Sequence, residues 1–483
     1  MLGEEGLRVV AVPQAQALRH TLCMGKSGSG KTYWLLGVLA QLLAQPGVSC
    51  AVVDLKGETV LSLLWLLQLL ERAPRLRPED VCVIAPWSGY GVPLNPLAPN
   101  PGLDPATQAA VVVSLLDDLS DGGLGPRMTN IARWLVRAVM ELGGSFLDVH
   151  ALLVDETLAP RVARQVRDPE LQTYLAHTFP KEPLSSRESI RARIENLLAL
   201  PAARAMLCAK GSIDGSVLLE SPLTLVHLGA GKMGAQRVAR FIGSWIFTLI
   251  TTAIFSRDQG ARLPAAYVVI DEWAQLAKVA AEDIEDILSR SRSVGVSLTL
   301  ANQYPAQIRS VSQALWEGVQ ANVALEVLFR PDAESLRHVD AALPVTGRMV
   351  DPQRPDRLLS EADEKRLLMR QLGNLKPRQA IFVNHLAGTP AELISTFTVP
   401  IARARAAWDA LTDAERDTWW RGRYGVPLVE LVPARMRFDA AEQVGTHAAE
   451  PPSATTGAHS DDEPVSPRPR SSGARRPRLK VLP

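Results

Sequence analysis

Lysine is scarce in this chain: of 52 basic residues only ten are lysine, and with 51 acidic residues the formal net charge is +1. No overall basic field is present to attract nucleic acid, so any contact with a phosphate backbone has to be local. Cysteine is rarer still, and Cys23, Cys50, Cys82 and Cys208 lie far apart, three of them at strand-like positions. That spacing excludes a metal-binding cluster and a disulfide framework, and leaves small buried hydrophobes in a reducing compartment. Long apolar runs are also missing. The nearest candidate, between Arg240 and Arg257, holds fifteen mostly apolar residues at 241–255, short of the roughly 18 that usually span a bilayer. It reads as a buried helix packed on a sheet, as does the shorter stretch 59–70. The start, Met-Leu-Gly-Glu-Glu, is acidic and has no apolar core, so no signal peptide is expected.

Against that scarcity, two lysines inside one eight-residue loop stand out. Gly25, Lys26, Ser27, Gly28, Ser29, Gly30, Lys31 and Thr32 form a complete phosphate-cradling motif. Its glycines let backbone N–H groups turn inward at phosphate oxygens, and a helix starting near Gly30 adds the positive end of its dipole. Lys31 then reaches the β- and γ-phosphates of ATP while the Thr32 hydroxyl ligates Mg²⁺. A short apolar run precedes the loop and an apolar stretch at helical spacing follows it, the strand–loop–helix order that the motif requires.

A second constellation is Tyr267-Val268-Val269-Ile270-Asp271-Glu272, four apolar residues running into two carboxylates. A buried parallel strand reads as continuous Val and Ile, and its carboxyl end is where an open α/β sheet presents ligands. Asp271 is the candidate to hold Mg²⁺ through water, and Glu272 the candidate to polarise the attacking water. Further on, Val296-Ser297-Leu298-Thr299-Leu300 reads as another strand. If it lies between the loop strand and the Asp271 strand, Gln303 stands level with the γ-phosphate, where an amide can donate to phosphate and accept from water. Arg290 and Arg292 end a predicted helix over 284–293. From there a guanidinium can enter a neighbouring subunit's site, or serve only as a helix-end cation.

At 483 residues, 47% hydrophobic and 21% charged, the chain has ordinary globular composition for two or three domains. Strand-like runs at 51–54 and 81–84 continue the α/β alternation, so residues 1–104 read as the first part of a motor domain. Amphipathic stretches at 106–119, 129–142 and 189–200 make 105–219 an all-α insertion. Strand character returns at 223–228, 267–270, 322–329 and 379–383, making 220–400 the second part of the same sheet. Residues 401–438 read as a helical extension with two short helices ending in Trp419-Trp420, a pair that packs on the main domain more readily than it stacks on bases. From 439 to 483 the chain is Pro, Ser, Ala, Gly and charge without apolar periodicity, a disordered tail ending in a basic run at 468–480.

The order of these motifs resembles the TraG/TraD-type coupling proteins of conjugation and type IV secretion, within the wider HerA/FtsK group of DNA-pumping ATPases. The matching parts are Gly25 to Thr32, Val53-Asp54-Leu55-Lys56-Gly57-Glu58, Leu94-Asn95-Pro96-Leu97, the helical insertion, Val269-Ile270-Asp271-Glu272, and the stretches 292–303 and 322–329. The nucleotide motifs are shared by many motors; the 54–58 run, the Asn-Pro pair and the insertion discriminate. The resemblance implies a RecA-like α/β fold with a mostly parallel sheet and a ring of six subunits around DNA. It further implies ATP sites at subunit interfaces and an all-α domain that engages relaxosome or secretion-channel proteins. Asp271 and Glu272 then serve metal and water, Gln303 reads the γ-phosphate, and Arg292 acts in trans. Such proteins usually carry N-terminal membrane helices, whereas about twenty residues precede the loop here. The expected location is therefore cytoplasmic, with peripheral contact at the inner membrane through a partner.

The functional expectation is an ATP-driven DNA translocase that grips phosphates without reading bases. Lys210, Lys232 and the turn Gly229 to Gly234 are candidate channel contacts, with ordinary surface loop as the plainer reading. The competing classes are a chromosomal motor of HerA/FtsK type, a protein-secretion ATPase indifferent to DNA, and a nucleotide switch without turnover.

Overall fold

The computed structural model describes residues 10–70, 76–119, 122–229, 236–257, 263–276, 284, 286–288, 291–331, 345, 350–351, 354–387, 391–436 and 481–482. A nine-stranded sheet forms its centre. The strands are β1 (His20–Gly25), β2 (Val48–Asp54), β3 (Val81–Ile84), β4 (Leu223–His227), β5 (Ala265–Asp271), β6 (Val296–Asn302), β7 (Val323–Phe329), β8 (Gln379–Asn384) and β9 (Glu392–Ser395). In space they run β9-β8-β7-β1-β6-β5-β2-β4-β3. All neighbours from β7 to β3 pair in parallel, and β8 and β9 close one edge antiparallel. This is the α/β, mostly parallel, RecA-like P-loop architecture that the motif order implies. Strand β6 does lie between β1 and β5, with Met24 beside Asn302 and Asp271 beside Ala301.

Period-two alternation sends successive side chains to opposite faces. Leu22 and Met24 of β1, with Ala51 and Val53 of β2, join one apolar cluster, whereas Cys23, Cys50 and Val52 join the other. Helices α1 (Lys31–Leu43) and α2 (Glu58–Leu67) bury their leucines in the second cluster. The first cluster continues into the segment between β3 and β4. There α3 (Pro105–Asp117), α4 (Pro126–Glu141), α5 (Leu184–Leu198) and shorter helices supply most of the buried side chains. The Asn-Pro motif ties the start of this segment to its helical part: buried Asn95 donates to the Gly144 carbonyl and accepts from the Leu97 N–H, while Gln108 donates to the carbonyls of Pro96 and Ala98. Both amides thereby find partners in the interior, where an unmet polar group is costly.

Helix α6 (Gln236–Phe255) is twenty residues long, five more than the apolar run suggests, because a first turn can carry Gln236 and Arg237 without leaving the helix. By length and composition it is enough to cross a membrane, but 83% of its most apolar window is buried against the rest of the chain. Helices α7 (Ile401–Asp409) and α8 (Asp413–Arg421) are the two expected near the C-terminus. Trp419 is buried, and Trp420 meets Trp87 edge-on at 4.7 Å between centroids, so the pair packs on the main body. Lys210 is exposed and its N–H donates to the Val432 carbonyl. Lys232, residues 230–234, Arg290, positions 285 and 289 of the expected 284–293 helix and the tail 439–480 lie outside the described residues, as does the side chain of Arg292.

Candidate nucleotide site

Six parallel strands end level with one another: Gly25 of β1 beside Phe329 of β7, Asp271 of β5 beside Ala301 of β6, and Asp54 of β2 between Asp271 and His227 of β4. The loop Gly25–Lys31 leaves β1 at this edge and turns into α1. Gly28 and Gly30 adopt left-handed conformations at φ 74° and 112°. At Gly30 a side chain is excluded twice over, since a Cβ would also stand 2.7 Å from the Arg378 Cα. The Arg378 N–H donates to the Ser29 carbonyl at 2.7 Å, so the strand β8 end braces the loop from outside. Lys26, Ser27 and Gly28 are exposed, Ser29 and Lys31 are buried, and Thr32 follows Lys31 in the first turn of α1.

Lys31 brings the two motifs together. Its Nζ lies 3.1 Å from Asp271 Oδ1 and 3.9 Å from Glu272 Oε1. Burial works to lower the Lys31 pKa, but the charge of Asp271, with Cys23 and Glu272 behind it, overrides that and holds the ammonium protonated above its ordinary value. Gln303 donates its Nε2–H to Glu272 Oε1 at 2.9 Å, so the amide stands at the acid pair.

Two further residues at this edge, Lys56 and Thr59, belong to a turn after β2. Lys56 Nζ lies 2.8 Å from Glu272 Oε1, and the Thr59 hydroxyl donates to Asp271 Oδ2 at 2.9 Å. The turn is organised by Asp54, whose carboxylate accepts from the backbone N–H groups of Lys56, Gly57, Thr59 and Val60. Burial and the neighbouring charge of Asp271 push the Asp54 carboxyl up to about 6 against these bonds. Gly57 has φ 87°, and a Cβ there would run into the His227 imidazole. Sequence reasoning used this run to discriminate families and assigned none of its side chains a role. The available signal was an acid ending a second buried strand, followed by Lys-Gly.

Glu272 has φ 57°, and burial alone would raise its carboxyl. The hydrogen bonds from Gln303 and Lys56 and the charges of Lys31 and Lys56 outweigh that and hold it below the usual range. Its Oε1 carries both hydrogen bonds, and among the described residues Oε2 carries none. Among the described residues the other non-glycine positions at positive φ are Arg330 and Arg378. Arg330 lines a cleft beside the loop with Gly25, Lys26, Gln303 and Tyr304. All three left-handed side-chain-bearing residues therefore surround the loop, where backbone strain accompanies function more often than elsewhere.

The donors suit a small hard cation. A Thr32 hydroxyl and an Asp271 carboxylate are oxygen ligands of the kind Mg²⁺ takes, with phosphate and water completing the shell. No group of three or more His, Cys, Asp or Glu able to hold a metal occurs among the described residues.

No family model matches the chain. Over 97 residues it is 29% identical to the DNA translocase FtsK of Oceanobacillus iheyensis, which covers 19% of this chain and 12%, about an eighth, of that relative. Its fold is similar to that of VirB4 of Thermoanaerobacter pseudethanolicus, with a TM-score of 0.53 at 13% identity over 80% of this chain and 91% of that one. It is likewise similar to the bacterial conjugative coupling protein TrwB lacking its N-terminal 70 residues, with a TM-score of 0.51 at 17% identity over 82% and 89%. TrwB in complex with ADP and Mg²⁺ gives a TM-score of 0.50 over the same shares. At these identities the likeness is one of fold.

Proposed function

We propose that the chain is an ATP-hydrolysing motor of the TraG/TraD coupling-protein type that moves DNA without reading its sequence. The observation that carries the catalytic half of this reading is the meeting of the loop lysine with a paired acid at 3.1 and 3.9 Å, one acid having an oxygen to spare. The loop N–H groups and Lys31 bind the β- and γ-phosphates, and Gln303 stands where it can report on the γ-phosphate. Glu272 Oε2 accepts a hydrogen bond from the attacking water and orients it for in-line displacement. Thr32 and Asp271 hold Mg²⁺, which when bound neutralises charge on the phosphate oxygens.

The DNA half rests on the fold shared with TrwB and on the short FtsK match. Assembly into a hexameric ring, Arg292 acting in trans, and partners docking on the helical segment 105–219 extend the same reading, as does the division into motor, insertion, extension and tail. The experiment is ATP hydrolysis titrated with DNA over a range of protein concentrations. Stimulation by DNA of unrelated sequences, with cooperative onset in protein, supports the motor and the ring together. Hydrolysis indifferent to DNA supports a protein-secretion ATPase, which the fold likeness to VirB4 favours as the second reading.

A further inference from the structure

Lys56 needs an explanation that stability does not give. Its side chain is 46% exposed, and an ion pair at that exposure contributes at most about 1 kcal/mol. Yet the local structure is built to present it. Asp54 draws in the backbone of Lys56 and Gly57, left-handed Gly57 tightens the bend against His227, and the parallel register sets Asp54 directly beside Asp271. The result is a hydrogen bond between residues 216 positions apart.

The two donors on Glu272 come from opposite sides in the sheet, Lys56 from the β2 end and Gln303 from the β6 end, with β5 between them. Both land on Oε1. A carboxylate held at one oxygen by two donors cannot rotate about its terminal bond without losing them, so the other oxygen keeps one direction. Lys31 does not supply this restraint, because its distance to Oε1 is 3.9 Å and its role on phosphate draws it toward the loop. Lys56, 2.8 Å from the same oxygen, does.

We infer that Lys56 is a positioning residue that, together with Gln303, locks Oε1 of Glu272 so that Oε2 faces the water attacking ATP. The inference rests on the assignment of Glu272 to that water. In this assignment Lys56 acts through the carboxylate, so its removal misdirects the chemical step and leaves nucleotide binding intact.

The test is steady-state ATP hydrolysis of the full chain, with affinity for a fluorescent ATP analogue measured in parallel, for wild type, Lys56→Met and Lys56→Arg. The expected result for Lys56→Met is a fall in kcat of roughly ten- to hundredfold with KM and analogue affinity within about twofold of wild type. Lys56→Arg, which restores a donor of the same charge, is expected to recover most of the loss. Unchanged or raised kcat in Lys56→Met overturns the inference, and so does a loss of analogue affinity that matches the loss of rate. Absence of hydrolysis by wild type overturns both this inference and the ATPase reading, whereas active wild type beside fully active Lys56→Met overturns the inference alone.

Discussion

Thr59 donates its hydroxyl proton to Oδ2 of Asp271 across 2.9 Å, although 212 positions separate them in the chain. The other oxygen of that carboxylate faces Lys31. Asp271 is thus fixed at both oxygens by residues of two different turns. Removing the hydroxyl alone in Thr59→Val should leave a buried acceptor short of a donor, at a cost of about 1–3 kcal/mol. Thermal unfolding should show that loss. Hydrolysis measured against Mg²⁺ concentration should need several-fold more metal, with Thr59→Ser close to wild type.

Lys31→Ala and Glu272→Gln should separate binding from chemistry. Lys31→Ala removes the phosphate ligand and leaves Asp271 and Glu272 without their shared cation, so analogue binding should disappear. Glu272→Gln keeps the shape but not the base, and should bind ATP while losing roughly 10²- to 10⁴-fold in turnover. Equilibrium binding and single-turnover hydrolysis of the two variants check both statements. Hydrolysis at wild-type rates in either would remove Asp271 and Glu272 from the site.

Gly57→Ala should be among the most damaging single-methyl changes in the protein. The added carbon meets the His227 ring and forces a non-glycine residue to hold φ 87°. Positive φ alone costs on the order of 1–3 kcal/mol. Denaturant unfolding should register at least that, and the added change His227→Ala should return part of it by clearing the ring from the methyl group.

Acid sensitivity should trace in part to His20. Burial lowers its pKa to about 4, outweighing the hydrogen bond to Leu288, with Arg19 adding to the lowering. Its Nδ1 accepts from the Leu298 N–H. Because the unfolded chain takes up the proton near its ordinary value, stability falls as pH drops from about 6.5 toward 4, by about 2 kcal/mol at pH 5. Asp54, raised to about 6, works in the opposite sense over much of that window. The difference between wild type and His20→Asn isolates the histidine: the variant should gain on wild type by that amount between pH 7 and pH 5. A pH-independent difference would contradict the assignment.

The sheet was legible because its inner strands are buried on both faces and read as short, mostly apolar runs, and the loop because its glycines and lysine sit at fixed spacing. The position of β6 between β1 and β5 was the condition on which the reading of Gln303 depended, and it is the order found. Lys56 and Thr59 were not legible as site residues, since their partners are set by the pairing of β2 with β5, and strand order is not written in either strand. Arg330 and Arg378 were hidden for another reason: nothing in an arginine announces a left-handed backbone. The Asn95-Pro96 pair, read only as a mark of resemblance, proves to be a tie between the loop after β3 and the helices at 105–144. Helix α6 was cut short because its opening polar turn hid the true start.

The edge-on contact of Trp420 with Trp87 has a practical bearing on any minimal catalytic fragment. Trp87 donates its indole N–H to the His227 carbonyl and stacks edge-on at 4.6 Å against the imidazole, which in turn roofs Gly57. Helix α7 lies along α2, which grows directly out of the Asp54 turn. Trimming the polypeptide after β9 would remove the Trp420 contact with Trp87 and the helix packed on α2, so the helices at 401–421 buttress the turn that carries Asp54 and Lys56.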